Sequence, residues 1–412
     1  MQLPPDHDAR SRKSTGRNPG AGLFSDLHIQ NVSSGLISAT LIATGPAIML
    51  LEAAANGNFT DRQAIGWMFA VYFFGGLFGI LMSLWHRKPI VGGHSLTGVA
   101  FLSTITAYIP YSQLIGGYVL SGLFIFLIGI SGVFTKIIKW VPRQVISAML
   151  AGLVAGYVVR LVLSVKELPI VGGLSIISYL ACLKFARRIP PALAAVVTAV
   201  LATLATQRLE YGGAELSFFL PAFQQPEFSP AGLVSVALPL ALLVLSNDVA
   251  PGIGALESNG FDPPVRRLVS LSGIFSMVTG FLGGQCANVA GMASAICSGP
   301  DSGPERSRYM AAVVSGVVTL AFGVLAWKVV PFIQSLPQAL FSMLAGFALI
   351  SVLFSNLREA FAAEQYAMSS LTAFVVALSN ISFLQISAPV WAILCGAAVN
   401  WFMNIKLPIT KG

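Results

Sequence analysis

Long apolar runs alternate with short polar breaks along most of this chain, and the pattern predicts helices that span a membrane. Three windows, Pro89 to Thr135, Leu268 to Pro300 and Tyr366 to Ile405, contain no Asp, Glu, Lys or Arg. A membrane helix needs only about 20 apolar residues, so each window is expected to hold more than one span.

The polar breaks predict an all-α polytopic membrane protein with 14 spans. We expect the first seven near 32–54, 64–85, 89–106, 113–138, 141–163, 168–186 and 189–207. We expect the second seven near 229–254, 266–282, 283–299, 308–331, 336–357, 365–382 and 386–404. The chain then divides into a disordered cytoplasmic tail (1–30), a first repeat (31–208), a linker (209–228), a second repeat (229–405) and a second cytoplasmic tail (406–412).

Composition agrees with a membrane protein, because 55% of the 412 residues are hydrophobic and only 10% are charged. The mean hydropathy of +0.79 exceeds what a soluble core of this length could bury. A net charge of +8 would suit nucleic-acid binding in a soluble protein, but here the cations sit in short loops between apolar runs. Membrane topology explains them better, and no nucleic-acid partner is expected.

The distribution of positive charge predicts the orientation. With the N-terminus in the cytoplasm and 14 spans, 19 of the 24 Lys and Arg residues fall on the cytoplasmic side. The remaining five are Arg62, Arg160, Lys166, Arg208 and Lys328. Cytoplasmic loops carry an excess of Lys and Arg, so both termini are expected in the cytoplasm. The membrane is expected to be the bacterial inner membrane.

The two halves of the chain also resemble each other. GLISA at Gly35 matches GLVSV at Gly232, and PRQVISAMLAGL at Pro142 matches PQALFSMLAGF at Pro337. A third match joins IVGGHSLTGVA to FLGGQCANVAG, and the offsets are 197, 195 and 191. Three matches in the same order indicate a duplication, and an odd number of spans per copy makes the repeat inverted.

Spans three and ten carry paired glycines and polar groups where a lipid-facing helix would carry Leu or Val. The residues are Gly92-Gly93-His94-Ser95 and Gly283-Gly284-Gln285-Cys286. We predict that each span is broken into an extended stretch and a half-helix, which membranes tolerate only inside protein or against a wet cavity. The alternative is that the glycines only allow close helix packing.

Two half-helices that begin inside the membrane would direct unpaired N–H groups and positive dipole ends into one cavity, a site suited to an anion. Side chains next to the breaks could add donors. The predicted substrate-binding residues are Gly93, His94, Ser95, Thr97, Asn247, Gly284, Gln285 and Asn288.

Asp248 is the only charged residue between Phe228 and Leu256. An acid at membrane depth marks an ion or proton path, and burial favours its protonated form, so Asp248 is the predicted proton-coupling residue. Pro251 and Gly252 follow and are expected to interrupt the helix. The alternative places Asp248 in solvent at the cytoplasmic end of its span.

Other candidates and motifs contribute little. Glu52 and Arg160 lie near predicted span ends, where reaching to the interface is the simpler account. The four cysteines lie in apolar stretches and form no CxxC pair, so we expect small packing residues and neither disulfides nor a zinc site. No cofactor is expected. Because the sequence has no Walker A, HExxH, GxSxG or dinucleotide motif, we expect a transporter driven by an ion gradient and no enzyme.

The segments ALPLALLVLSNDVAPGIGALESNGFDPP, GMASAICSGPDSGPERSRYMAAVVSGVVTLAFGVLA and LPQALFSMLAGFALI resemble the benzoate:proton symporter (BenE) family. That family belongs to the group with the uracil-permease fold, and the resemblance covers nearly all of the chain after the first 30 residues. AICSGPDSGPE is its most specific part. Asp248 departs from the amide-containing pattern of the family, so it is either a specialised proton carrier or a sign of another substrate.

The resemblance implies a core domain (spans one to four and eight to eleven), a gate domain (the other spans) and alternating access, often within a dimer. It also implies a substrate between the third and tenth half-helices, beside His94, Ser95, Gln285, Asn288 and Asp248. We therefore expect proton-coupled uptake of benzoate or a related aromatic carboxylate. The alternatives are a nucleobase or inorganic-anion carrier of the same fold, or an uncoupled channel.

Overall fold

The computed structural model describes residues 23–132, 134, 142–185, 191–206, 218, 220–381, 383 and 388–404. The chain is mostly helical there. The second tail, half of the linker and residues 1–22 of the first tail lie outside the described residues. A short 3₁₀ turn occupies Leu23–Asp26 and the first α-helix begins at Ile29, while the predicted division into tails, repeats and linker stays a prediction.

The described residues of the first half form seven helices and one short strand. They are α1 (Ile29–Asn56), α2 (Asp61–His86), β1 (Gly92–Gly93), α3 (Leu96–Ile105), α4 (Tyr111–Ser131), α5 (Arg143–Glu167), α6 (Pro169–Phe185) and α7 (Pro191–Thr206).

In the described part of the second half, the same order recurs with one additional short helix. Its elements are α8 (Pro230–Ser258), α9 (Val265–Phe281), β2 (Asn288–Val289), α10 (Gly291–Ser298), α11 (Tyr309–Val324), α12 (Ala326–Gln334), α13 (Gln338–Ala360), α14 (Ala367–Leu378) and α15 (Ala388–Asn404).

Seven helices in the described part of the chain are long and apolar enough to cross a membrane. They are Ile29–Asn56, Asp61–His86, Tyr111–Ser131, Arg143–Glu167, Pro230–Ser258, Glu305–Val324 and Ser342–Ala360. The helix α3, with 10 residues, is only about 15 Å long, half of the roughly 30 Å hydrocarbon layer. The chain is therefore an integral membrane protein, and the total of 14 spans stays a prediction.

Local sequence explains where many helices begin and end. Thr60 caps α2, because its hydroxyl accepts the Gln63 N–H while the Gln63 side chain accepts the Thr60 N–H. Pro110, Pro142 and Pro337 stand immediately before α4, α5 and α13, where a missing N–H costs no helical hydrogen bond.

Small residues bring helices close together. A Cβ atom on Gly122 of α4 would lie 2.9 Å from the Gly273 carbonyl oxygen of α9. A Cβ atom on Gly316 of α11 would lie 2.8 Å from the Gly76 carbonyl oxygen of α2. These backbones touch directly, which is the way that helices associate in lipid without a hydrophobic driving force.

The helices pack as two clusters. The ladder cluster consists of α1–α4 and α8–α12 and contains the paired strands β1 and β2. The flanking cluster consists of α5–α7 and α13–α15. Contacts of α1 with α7 and α13, and of α3 with α5, join the two clusters.

Candidate functional site

The strands β1 and β2 form an antiparallel ladder in which Gly92 pairs with Val289 and Gly93 with Asn288. The Ala290 N–H extends it by donating to the Val91 carbonyl at 2.9 Å. A Cβ atom on Gly92 would collide with the Gly75 carbonyl oxygen and the Gly79 backbone of α2. Only glycine therefore fits at this position.

Both helices that follow the ladder begin within two or three residues of it. Ser95 is the N-cap of α3 and Ala290 the N-cap of α10. Because the strands are antiparallel, the two helices leave the ladder from its opposite ends. The predicted combination of an extended stretch and a short helix is present in both halves.

The second break lies further along the chain than the sequence predicts. Gly283 has φ +94° and Gly284 donates to the Thr279 carbonyl at 2.9 Å, so this glycine pair ends α9. The extended pair begins at Asn288 instead, and α10 begins at Gly291. The N-caps Ser95 and Ala290 are 195 positions apart, which is the offset of the Pro142 and Pro337 segments.

The amino end of α3 is capped by its own side chains. The Ser95 hydroxyl accepts the Gly98 N–H at 2.9 Å and lies 3.1 Å from the Thr97 hydroxyl. The Ser95 N–H donates to the Cys286 sulfur at 3.3 Å, which ties α3 to the segment before β2. Both Ser95 and Thr97 are buried, so this cap is isolated from bulk water.

The amino end of α10 has no such cap. An alanine side chain accepts no hydrogen bond, so the Ala290 N-cap leaves the first-turn N–H groups of α10 without a side-chain acceptor. The neighbouring Asn288 is fully buried, and its Nδ2 donates to the Val289 carbonyl at 2.9 Å. Its Oδ1 has no partner among the described residues.

Three buried side chains form a relay from α2 to the third span. The Trp67 indole N–H donates to the Gln285 Oε1 at 2.5 Å, so the Gln285 amide nitrogen faces His94. That nitrogen lies 3.1 Å from the His94 Nδ1 and donates to it. Nδ1 is then the acceptor of the neutral ring, and the proton of the ring is on Nε2.

The His94 Nε2 has no partner in the described part of the chain, although the side chain is buried. The edge-on Tyr72 ring, with its centroid 4.8 Å away, holds the imidazole from the side. His94 thus offers an unpaired N–H donor inside the protein, which is what binding of an anion requires.

Two π-helical stretches interrupt α8, at Leu233–Ala237 and Val244–Val249. Prolines follow both stretches, and Pro251 cannot donate to the Asn247 carbonyl four residues earlier. The predicted interruption of the eighth span is therefore present, in the form of widened turns.

Asp248 lies in the second π-helical stretch and is 9% exposed. Its Oδ2 has no partner among the described residues, and the carboxyl group lies beside the Ser95 side chain. The alternative that places Asp248 in solvent is not supported by this burial.

The half-helix α10 packs directly against this part of α8. A Cβ atom on Gly291 would lie 3.0 Å from the Asp248 carbonyl oxygen and 3.2 Å from the Pro251 Cβ. Asn247 is half-buried and donates to the Ser246 hydroxyl at 2.9 Å. Asp248, Ser95 and the start of α10 are thus brought to one place, with His94 and Gln285 at the adjoining end of β1.

Sequence reasoning missed three residues of this site. Trp67 and Tyr72 were not singled out, because buried aromatic residues in an apolar span give no signal of a polar contact. Cys286 was interpreted only as a small packing residue, although it follows Gln285 directly. The position of Cys286 next to the predicted binding residue Gln285 is the feature of the sequence that could have identified it.

Comparison with known proteins decides the family. The sequence model described as "Benzoate membrane transport protein" (BenE) matches residues 25–402. The chain belongs to the BenE family. Members of this family are membrane transport proteins and not enzymes.

Two relatives cover nearly the whole chain. The "Benzoate membrane transport protein" of Acinetobacter baylyi is 26% identical over 388 residues, which are 93% of this chain and 97% of the relative. The "Inner membrane protein YdcO" of Escherichia coli is 27% identical over 373 residues, 90% of this chain and 95% of the relative.

Solved structures show the same fold at low identity. The transmembrane domain of a cyanobacterium bicarbonate transporter, BicA, has a TM-score of 0.57 and 15% identity, covering 92% of this chain and 98% of that one. Murine Slc26a9, an anion transporter in the inward-facing state, has a TM-score of 0.60 and 12% identity, covering 92% and 68%. The fold is therefore that of membrane transporters.

Proposed function

We propose that the chain is a secondary active transporter that moves benzoate or a related aromatic carboxylate together with protons by alternating access. The observation that carries the proposal is the uncapped amino end of α10 in contact with the backbone of the buried acid Asp248. Family membership and the printed name of the relative from Acinetobacter baylyi support benzoate as the substrate class.

The substrate carboxylate binds at the ladder. First-turn N–H groups of α10 and the partial positive charge of the helix end stabilise a negative charge there. The N–H donor at His94 Nε2 and the second N–H of the Asn288 Nδ2 lie in the same buried region and can donate to the carboxylate. Buried polar atoms without partners are expensive, so a ligand that satisfies them is favoured.

The proton is carried by Asp248. A buried carboxylate beside an incoming anion is unfavourable, so protonation of Asp248 allows the substrate anion to enter. Release of both to the cytoplasm then restores the empty site. This coupling makes accumulation of the carboxylate depend on the proton gradient.

The proposed architecture is a 14-span inverted repeat with a core and a gate. In the proposed repeat α2 corresponds to α9 and α4 to α11. The contact of α2 with α11 then has its counterpart in the contact of α4 with α9, and both contacts are present. The antiparallel ladder also suits copies of opposite orientation. The ladder cluster corresponds to the proposed core and the flanking cluster to the gate, with α12 added to the core.

The proposed location is the inner membrane, with both termini in the cytoplasm and assembly as a homodimer. The charge distribution and the name of the Escherichia coli relative support the location.

The experiment is uptake of radiolabelled benzoate by proteoliposomes with and without an imposed inward proton gradient. Accumulation above the external concentration that collapses with a protonophore is the expected result. Equilibration without accumulation would instead indicate an uncoupled channel.

A second candidate substrate is an inorganic anion such as bicarbonate. The fold neighbours, a bicarbonate transporter and an anion transporter, favour it. Competition decides, because an excess of unlabelled bicarbonate should leave benzoate uptake unchanged if the aromatic carboxylate is the substrate. Adding uracil as a third competitor tests the nucleobase alternative.

A further inference from the structure

An ion pair connects the two helix clusters at the end of α3 that is remote from the ladder. The Arg160 guanidinium of α5 lies 3.5 Å from the Glu52 Oε1 of α1. Glu52 is 8% exposed, so its side chain does not reach the interface as its sequence position predicts. Its second oxygen, Oε2, has no partner among the described residues.

Arg160 is also placed against an aromatic ring. Its guanidinium carbon lies 4.4 Å from the centroid of the Tyr157 ring, one helical turn earlier on α5. The Tyr157 hydroxyl hydrogen-bonds the Ser103 hydroxyl near the end of α3. Ion pair and hydrogen bond together tie α1 and α3 of the ladder cluster to α5 of the flanking cluster.

Arg160 lines a cavity of about 330 Å³ at this junction. Small-molecule sites have volumes of roughly 300–1,000 Å³, so the cavity is large enough for a single-ring compound. Its wall includes the amides of Asn56 and Asn380 and the rings of Tyr108 and Tyr157. Arg160 is the charged residue among the described residues that line it, because the Glu52 side chain lies behind the wall.

A second cavity of about 430 Å³ adjoins the first and shares Thr104, Tyr108 and Asn380 with it. Together the two cavities surround the carboxyl end of α3. The charge distribution predicts that this end faces away from the cytoplasm. A solute from outside would thus meet this place before it reaches the ladder, about 15 Å further along α3.

The chemistry of the cavity matches the proposed substrate. A guanidinium binds a carboxylate with two parallel hydrogen bonds, and the exposed Tyr108 ring suits contact with an aromatic ring. The side chain of Arg160 is 48% exposed, so a part of it is open to a ligand although one edge faces Glu52. Glu52 itself shows that this guanidinium holds a carboxylate.

We propose that this cavity is a second carboxylate-binding site, an outer site in which an arriving aromatic carboxylate competes with Glu52 for Arg160. Occupation of the outer site replaces the Glu52–Arg160 pair and so removes one tie between the two helix clusters. The inference rests on the proposed function for its ligand class, but it concerns residues that the central site does not use.

The test compares benzoate binding from the two sides of the membrane, with right-side-out and inside-out vesicles that contain the full chain. Arg160→Gln should weaken apparent affinity from the outside by about tenfold, the value of a lost charge-assisted hydrogen bond, and leave affinity from the inside unchanged. Glu52→Gln should strengthen outside affinity, because it removes the competitor. Lys166→Gln is the matched control, an exposed cation on the same helix.

Arg160→Lys separates loss of binding from loss of folding, because it keeps the charge and should recover part of the outside affinity. Equal loss on both sides in Arg160→Gln, or no gain in Glu52→Gln, would overturn the outer site. Absence of benzoate binding to the unsubstituted protein on either side would instead overturn the proposed function. The two failures are therefore distinguishable.

Discussion

The Trp67 indole N–H donates to the Gln285 Oε1 at 2.5 Å, and this bond determines which end of the Gln285 amide faces His94. Without a donor at Trp67, the amide could rotate by half a turn and offer its oxygen to the His94 Nδ1. The ring would then place its proton on Nδ1 and present a lone pair at Nε2. A carboxylate would meet an acceptor where it needs a donor.

We therefore predict that Trp67→Phe weakens benzoate affinity by about tenfold, because a site loses one hydrogen bond to a charged ligand. The phenyl keeps an aromatic contact with Phe59 and Tyr118 but is smaller than the buried indole, so some loss of thermal stability is expected as well. The measurement is the KM of uptake together with the thermal stability of the purified protein.

Trp85→Phe, on the exposed end of the same helix, is the control and should leave the KM unchanged. If Trp67→Phe lowers thermal stability and leaves the KM as it was, the role of Trp67 is packing alone. A rise in KM, with or without a fall in thermal stability, supports the relay.

The glycine contact between β1 and α2 gives a second prediction. A Cβ atom on Gly92 would collide with the backbone of Gly75 and Gly79, which cannot move as a side chain can. Gly92→Ala should therefore destabilise the protein by about 1–3 kcal/mol, the usual cost of overpacking. Thermal unfolding in detergent, followed by tryptophan fluorescence, measures the change.

Gly254→Ala is the matched control, because nothing lies within 4 Å of a Cβ atom there. It should be neutral or slightly stabilising, since alanine is the better helix former. Equal effects of the two substitutions would contradict the close approach of β1 to α2.

The loop before α8 gives a prediction about pH. Ser112 and Gln113 donate hydrogen bonds to the Glu227 carboxylate at 2.7 and 2.9 Å, and these bonds hold the pKa of Glu227 below its usual value. A lowered folded-state pKa stabilises the fold above the unfolded-state pKa, and the contribution is lost as pH falls through the folded-state pKa.

Glu227→Gln should therefore lower the unfolding temperature at neutral pH, and the difference from the unsubstituted protein should shrink on acidification. Unfolding temperatures measured at a series of pH values test this. Glu364→Gln, an exposed acid elsewhere, serves as the comparison. A difference that grows at low pH would have the wrong sign for this explanation.

The apolar pattern predicts much of the fold, because lipid imposes one length and one chemistry on every span. The helix α9 at Val265–Phe281 agrees with its predicted range of 266–282 within one residue. The second break could not be located from sequence, because a glycine pair serves equally well to end one helix or to begin an extended stretch. Gly283 and Gly284 do the former.

Contacts between distant segments were less accessible to sequence reasoning. Glu52 and Arg160 stand near predicted span ends, and only tertiary packing brings them together across the two clusters. The Trp67 bond to Gln285 likewise joins positions 218 residues apart. Asp248 was the opposite case, since a lone acid in an apolar run is visible without any structure.

Asp248 gives the prediction that bears most directly on the proposed mechanism. Asp248→Asn keeps the shape of the side chain and removes the proton that the proposed cycle carries. Accumulation of benzoate against its gradient should be abolished, while exchange of labelled for unlabelled benzoate continues, because the half-helix end that binds the anion is unchanged. In the unsubstituted protein uptake should rise as external pH falls, and in the variant exchange should be nearly independent of pH.

Asp262→Asn, in an exposed loop, controls for removal of an acid. If Asp248→Asn accumulates benzoate as well as the unsubstituted protein does, another group carries the proton. If the variant loses exchange as well as accumulation, Asp248 is a binding residue.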